Sequence, residues 1–147
     1  MSPPLDILLV EDNPQDAELA IHALKACHLA SHLLHVRDGQ EALDFLFGTG
    51  PYEGRDLQHR PRVVMLDLKL PKVNGIEVLR QIRADARTKL LPVAVFTSSR
   101  EESDLSEIYR LGVNSYIVKP VDFESFSEAV GHLGQYWLKL NEAPLDG

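Results

Sequence analysis

Four places in this 147-residue chain carry groups that could act together: Glu11-Asp12, Asp67, Thr97 with Ser98 behind it, and Lys119 followed by Pro120. Each stands at the end of a short apolar run (7–10, 63–66, 93–96 and 115–118). Brought to one place, three carboxylates repel one another and raise one another's pKa. A divalent cation relieves that conflict. Oxygen-only ligands favour a hard ion such as Mg²⁺, held by one or two carboxylates together with a phosphate. Taken singly, each group has a plainer reading: a solvated strand end for Glu11-Asp12 or Thr97, a surface lysine for Lys119. Their joint order outweighs those readings. Two other groupings are set aside. His28, His32 and His35 would form a metal-binding face only on one continuous helix, whereas the helix is expected to end near His28 and 33–36 reads as strand. Gly48-Thr-Gly50 with Gly54 imitates a dinucleotide motif but follows a helix, not a strand.

The elements that must position these groups alternate. The run 7–10 is β-prone, and Asn13 and Pro14 suit a helix start. Ala17, Ala20, Leu24 and Cys27 then recur at helical spacing. A weaker strand, 33–36, precedes Asp38-Gly39, read as a turn, and a short helix at 41–47. Residues 48–61 contain three Gly and two Pro and form a loop long enough to be functional or mobile. The uninterrupted run 63–66 suits a central parallel strand covered on both faces. Asn74-Gly75 turns into a helix ending near Ala84. Strand 93–96, helix 101–111, strand 115–118 and a helix from about Asp122 complete the chain. In that last helix Phe126, Val130, Leu133, Trp137 and Leu140 follow one face. Gly131 and Gly134 inside it suggest close packing, with a second subunit as one candidate neighbour. Five βα units predict a doubly wound α/β fold, a five-stranded parallel sheet with helices on both faces. Its ligand site lies at the carboxyl ends of the strands.

The set Glu11-Asp12, Asp67, Thr97 and Lys119-Pro120 resembles the receiver domain of two-component response regulators, from Ile7 to about Leu138. Asp67 to Thr97 is 30 positions and Thr97 to Lys119 is 22, as in that family. Asp12 to Asp67 is 55, about ten longer than usual, and the 48–61 loop accounts for the excess. The resemblance implies a flavodoxin-like strand order 2-1-3-4-5. It implies Asp67 as phosphoacceptor, and Mg²⁺ or Mn²⁺ held by Asp12, Asp67 and the Lys69 backbone carbonyl, with Glu11 acting through water. Lys119 would pair with a phosphoryl oxygen, aimed by a cis bond to Pro120. Thr97 would bond another oxygen and couple to Tyr116 as the switch. Ser98 is small enough not to crowd the phosphoryl group. Lys69 and Ser99, each two residues past a site residue, would tune its lifetime.

Composition narrows the class. A formal charge of −7 without a basic block disfavours nucleic acid, which demands clustered Lys and Arg. No apolar run reaches a membrane span, and the lone Cys27 fits a reducing, cytoplasmic setting. The expectation is one receiver domain over 1–147, with a core at 5–138 and a tail at 139–147. Too little chain follows the last helix for a DNA-binding module, so the output is borrowed through a protein or phosphotransfer partner. The long loop and the Trp137–Leu140 tail resemble single-domain regulators that partner bacterial phytochrome histidine kinases. A homodimer through the fourth and fifth helices is a further expectation. Two alternatives stay open. A haloacid-dehalogenase-like phosphatase would want an acid where Lys69 stands. A flavodoxin-like FMN carrier would want a phosphate cradle where Glu11-Asp12 would repel the anion.

Overall fold

In the computed structural model the apolar runs pair side by side as parallel strands: β1 (Ile7–Val10), β2 (Leu33–Val36), β3 (Val63–Leu66), β4 (Val93–Thr97) and β5 (Ser115–Val118). The structure describes residues 5–29, 32–97, 102–119 and 122–141. Strand order is β2-β1-β3-β4-β5, as the resemblance implied. Between the strands lie α1 (Pro14–Ala26), α2 (Gly39–Phe47), α3 (Gly75–Ala84) and α4 (Glu102–Arg110), and α5 (Phe123–Gln135) follows β5. Successive side chains of a strand face opposite ways, and both faces here are covered. Leu8, Val10, Val64, Leu66, Val93 and Val95 pack with α2, α3 and Ile108 of α4. Ile7, Leu9, Val63, Met65, Ala94 and Phe96 pack with α1 and α5. That is why the runs show no polar alternation.

Several local readings change. Asp38-Gly39 is a helix start rather than a turn. The Asp38 side chain accepts from Glu41 N at 2.7 Å, and Gly39 opens α2 against the 71–73 backbone, where a Cβ would overlap the Val73 carbonyl. The 48–61 loop is fastened down. It contains a 3₁₀ turn, Gly50–Tyr52; Arg55 Nε donates to Phe45 O at 2.7 Å and its guanidinium lies 3.9 Å from the centre of the Phe45 ring. Past Gln135 the last helix widens into a π turn, Tyr136–Leu140, closed by Asn141 N donating to Tyr136 O at 2.7 Å. The wider turn shifts the register. Leu138 swings inward, 7% exposed, and Leu140, expected on the buried stripe, swings out to 75%. Gly131 and Gly134 find their close neighbour within the chain. A Cβ at 134 would come within 2.6 Å of Leu24 Cδ2 and 2.9 Å of Leu29 Cδ1, and one at 131 within 3.4 Å of Cys27 Sγ. These glycines let α5 approach α1, so they need no second subunit.

The far end of α4 is anchored. Arg83, at the end of α3, donates to the carbonyls of Leu111, Gly112 and Leu91 and to Asn114 Oδ1. Arg80 bridges Glu77 and Glu107 between α3 and α4. Among the described residues no helix is long and apolar enough to cross a membrane.

Candidate functional site

The carboxyl ends of β1, β3, β4 and β5 bring the expected residues together. At the end of β1, Asn13 Oδ1 accepts from Gln15 N at 2.9 Å and Asp16 N at 3.1 Å, starting α1 at Pro14. That cap leaves Asp12 exposed between strand and helix and turns Asp16 back toward the sheet. Glu11 is buried and held at every polar atom. Its N–H donates to Val36 O at 3.1 Å. Oε2 accepts from Asn13 N at 3.2 Å and Oε1 from Lys119 Nζ at 2.6 Å. Its carbonyl accepts from His35 Nε2 at 2.8 Å.

Asp67 follows β3, equally buried. Its N–H donates to Val10 O at 3.1 Å. Oδ1 accepts from Lys69 N at 3.2 Å and Oδ2 from Lys119 Nζ at 3.0 Å. Lys119 thus spans the site, its side chain only 11% exposed, with a third partner in Asp16 Oδ2 at 2.9 Å. Thr97 is fully buried at the end of β4, and its carbonyl accepts from Lys119 N at 2.7 Å. In the β4–β5 register Val95 lies opposite Tyr116 and Thr97 opposite Val118. With a period of two, Thr97 and Tyr116 share the sheet face covered by α4. Tyr116 packs on that core, its ring 6.4 Å from Tyr109 of α4. Of the other expected residues, Ser98, Ser99 and Pro120 lie outside the described residues, and the Lys69 side chain is exposed.

A divalent ion fits the donor set. One carboxylate oxygen from each of Glu11, Asp12 and Asp67 can be chosen so that all lie within 4.8 Å of one another. These three residues are the ones that would hold a hard divalent ion, and their carboxylates would have to draw closer to share it. All donors are hard oxygens. Among the described residues this is the one cluster of three or more such groups with that spacing. The histidines are dispersed: His32 faces Asp6 at 3.4 Å, and His35 sits in β2.

Electrostatics tell the same story of crowding. Burial, reinforced by the Asp67 charge and only partly offset by the Lys119 hydrogen bond, pushes the Glu11 carboxyl up to about 7. Burial alone would lower the Lys119 ammonium, but the hydrogen bonds to Glu11 and Asp16 and the charge of Asp67 outweigh it and hold the ammonium protonated. A pH dependence follows. Glu11 ionises near 4.5 when unfolded and about 7 when folded, so the metal-free fold binds the extra proton between those values. That contribution to stability is present below 4.5 and is lost as pH rises through 7. A cation needs the ionised form, so its affinity must grow over the same rise. Thermal melts should show the Mg²⁺-induced gain in Tm growing between about pH 6 and pH 8. A gain independent of pH would detach Glu11 from the metal.

The loop that carries Asp67 leans on Gly75, whose N–H donates to Leu68 O at 2.8 Å. A Cβ there would overlap Asp67 O and Leu68 Cα, both backbone atoms that cannot swing aside. Gly75→Ala should therefore displace the 67–69 loop and lower stability by about 2–3 kcal/mol, the cost of overpacking, with metal affinity lost in parallel. Denaturant unfolding and a metal titration check it.

Two residues of the site escaped the sequence reading. Asp16 lies four past Asp12 on the first turn of α1, and that spacing was its only signal. His35 was weighed only as a metal ligand, and its contact to Glu11 O depends on β1–β2 pairing that no local pattern announces.

The comparisons with known proteins agree with this geometry. The response regulator receiver domain family matches residues 7–131. The chain is 43% identical over 141 residues to the probable methanogenesis regulatory protein FilR2 of Methanothrix harundinacea, covering 96% of this chain and 88% of that one. The crystal structure of the Mn²⁺-bound response regulator Rcp1, a Synechocystis protein, superposes with a TM-score of 0.88 at 37% identity, covering 96% of this chain and 99% of that one. The bacteriophytochrome response regulator AtBRR is 50% identical with a TM-score of 0.73, covering 96% and 100%. With buried acids at the ends of β1 and β3, a hydroxyl on β4 and a lysine after β5, this chain belongs to the response regulator receiver domain family.

Proposed function

We propose that the protein accepts a phosphoryl group from a sensor histidine kinase on Asp67 and relays the change through Thr97 and Tyr116 to a protein or phosphotransfer partner. The observation that carries this is Lys119 Nζ within 3.0 Å of Asp67 Oδ2 beside two further acids. Two anions, carboxylate and phosphoryl group, must meet, and charge neutralisation is then the main catalytic need. Mg²⁺ or Mn²⁺ held by Asp12, Asp67, Glu11 and the Lys69 carbonyl would supply most of it. The remaining chemistry belongs to the chain. An Asp67 oxygen attacks phosphorus as the bond to the donor breaks, and Lys119 takes up charge on the phosphoryl oxygens. Thr97 donates its hydroxyl to another oxygen, and Tyr116 on the same face follows. Ser98 leaves room, and the Lys119-Pro120 bond in cis would aim the ammonium. Self-phosphorylation and slow self-hydrolysis are then its only reactions.

The likeness to AtBRR, a bacteriophytochrome response regulator 50% identical to this chain, supports a bacterial phytochrome as the kinase. FilR2, at 43% identity, supports a different input, so the kinase is the point to test. Phosphotransfer from radiolabelled kinases of both kinds should favour the phytochrome kinase; preference for another assigns the protein elsewhere. A receiver domain filling 1–147 fits relatives that the chain spans almost end to end. The lone Cys27 suits a cytoplasmic site of action. A homodimer through α4 and α5 would appear in sedimentation with and without beryllofluoride. The phosphatase reading is disfavoured by Lys69, whose N–H, not a second acid, faces Asp67, and the FMN reading by the acids at the end of β1. Lys69 should shield the acyl phosphate from water. Lys69→Asn is expected to shorten the phosphoryl lifetime several-fold, read from the decay of label; an unchanged lifetime removes that role.

A further inference from the structure

The structure assigns His35 as a positioning residue for the metal-binding acids, an inference that rests on the cation reading of the site. The imidazole Nε2 stands 2.8 Å from the Glu11 carbonyl. A carbonyl oxygen only accepts, so Nε2 carries the proton and donates. That carbonyl belongs to the peptide whose nitrogen is Asp12's, so the bond sets the rotation of the plane from which Asp12 projects.

The other contacts around it make this bond matter. Glu11 is fixed through its N–H, both carboxylate oxygens and this carbonyl. Asp12 is exposed and, among the described residues, no side-chain hydrogen bond holds its carboxylate. Its direction therefore depends on the backbone on either side. Asn13, capping α1, fixes one side; His35 fixes the other. The His35 backbone is fixed beside β1, because Leu9 and His35 are partners in the β1–β2 register, so the ring starts from a set position next to the Glu11 carbonyl. His35 and Asp12 also line one groove of about 430 Å³ with Arg37 and Lys25. Water can enter there, so without the ring a solvent molecule would satisfy the carbonyl but not direct it. The expected loss is of orientation rather than of fold.

Groups that orient metal ligands typically matter 10- to 100-fold in metal affinity. His35 acts through one backbone bond, so about tenfold is expected. The test is titration of the full chain with Mn²⁺, following the electron paramagnetic resonance of the free ion. His35→Ala should bind about tenfold more weakly, while its melting temperature in EDTA stays close to wild type. His35→Gln, whose carboxamide N–H can replace the donor, should recover most of the affinity. With acetyl phosphate, the Mn²⁺ concentration giving half-maximal phosphorylation should rise for His35→Ala, with the rate at saturating metal unchanged. Equal affinity in wild type and His35→Ala, or no recovery in His35→Gln, overturns the assignment. A wild type that takes up no Mn²⁺ overturns the cation reading and this inference with it.

Discussion

Asp67→Asn is expected to take no phosphoryl group from acetyl phosphate and Mg²⁺, whereas the wild type gains one by intact mass. The reason is chemical and local. A carboxamide has no anionic oxygen to attack phosphorus, and none of the neighbouring acids is placed to substitute. Glu11, its carboxyl pushed up to about 7, is a protonated acid over much of the pH range, Asp16 lies on α1 rather than at a strand end, and Asp12 is exposed at the rim. The loss should be to background, not graded. The same variant should fold normally. Asp67 raises the Glu11 pKa by its charge, so removing that charge relieves crowding and lets Glu11 ionise at lower pH. Melting in EDTA at neutral pH should therefore be unchanged or higher. Undiminished phosphorylation would move the acceptor to another residue. A phosphorylation-silent variant that is also unfolded would leave Asp67 a structural role instead.

Much of this site was open to sequence reasoning because strand ends are where backbone pattern and chemistry coincide. The runs at 7–10, 63–66 and 115–118 are bounded by the residues that leave the apolar layer, so Glu11, Asp67 and Lys119 announce the end of the strand and the site together. What stayed hidden depends on contacts between elements. Asp16 becomes part of the site only because Lys119, over a hundred residues away, bends toward α1. Leu140 continues the apolar spacing of α5, yet the π turn sends it outward and brings Leu138 in; a helix of constant pitch is the assumption that failed. Gly131 and Gly134 did mark close packing, but the neighbour was α1, and composition cannot say whether a close neighbour belongs to the same chain. Asp38-Gly39 carries the residues of a turn and of a helix cap alike, and the 71–73 backbone decides between them.

Lys119→Met carries the second large effect, and it has two opposite signs. In the metal-free protein Lys119 is the ammonium that holds Glu11, Asp16 and Asp67 together. Removing one partner from a buried ion pair costs about 3–5 kcal/mol. Asp16 is about a third exposed and Glu11 can take up a proton, so roughly 3 kcal/mol is expected in EDTA near neutral pH. The deficit should widen with pH. The Lys119 hydrogen bond lowers the Glu11 pKa, so without it the folded value climbs further above the unfolded one. Stability carried by protonated Glu11 is then lost as pH rises through that higher value. Metal reverses the comparison. The ammonium and a divalent ion compete for the same oxygens of Glu11 and Asp67, and two cations in one cluster repel. The variant should bind Mg²⁺ more tightly than wild type, by about tenfold, and recover much of its stability when loaded. Phosphorylation should nonetheless slow by about a hundredfold, the usual effect of losing one preorganised donor to a developing anion. Denaturant unfolding with and without Mg²⁺, a calorimetric titration and the rate with acetyl phosphate separate these three effects. Weaker Mg²⁺ binding in the variant would mean that Lys119 organises the acids for the metal instead of standing in for it.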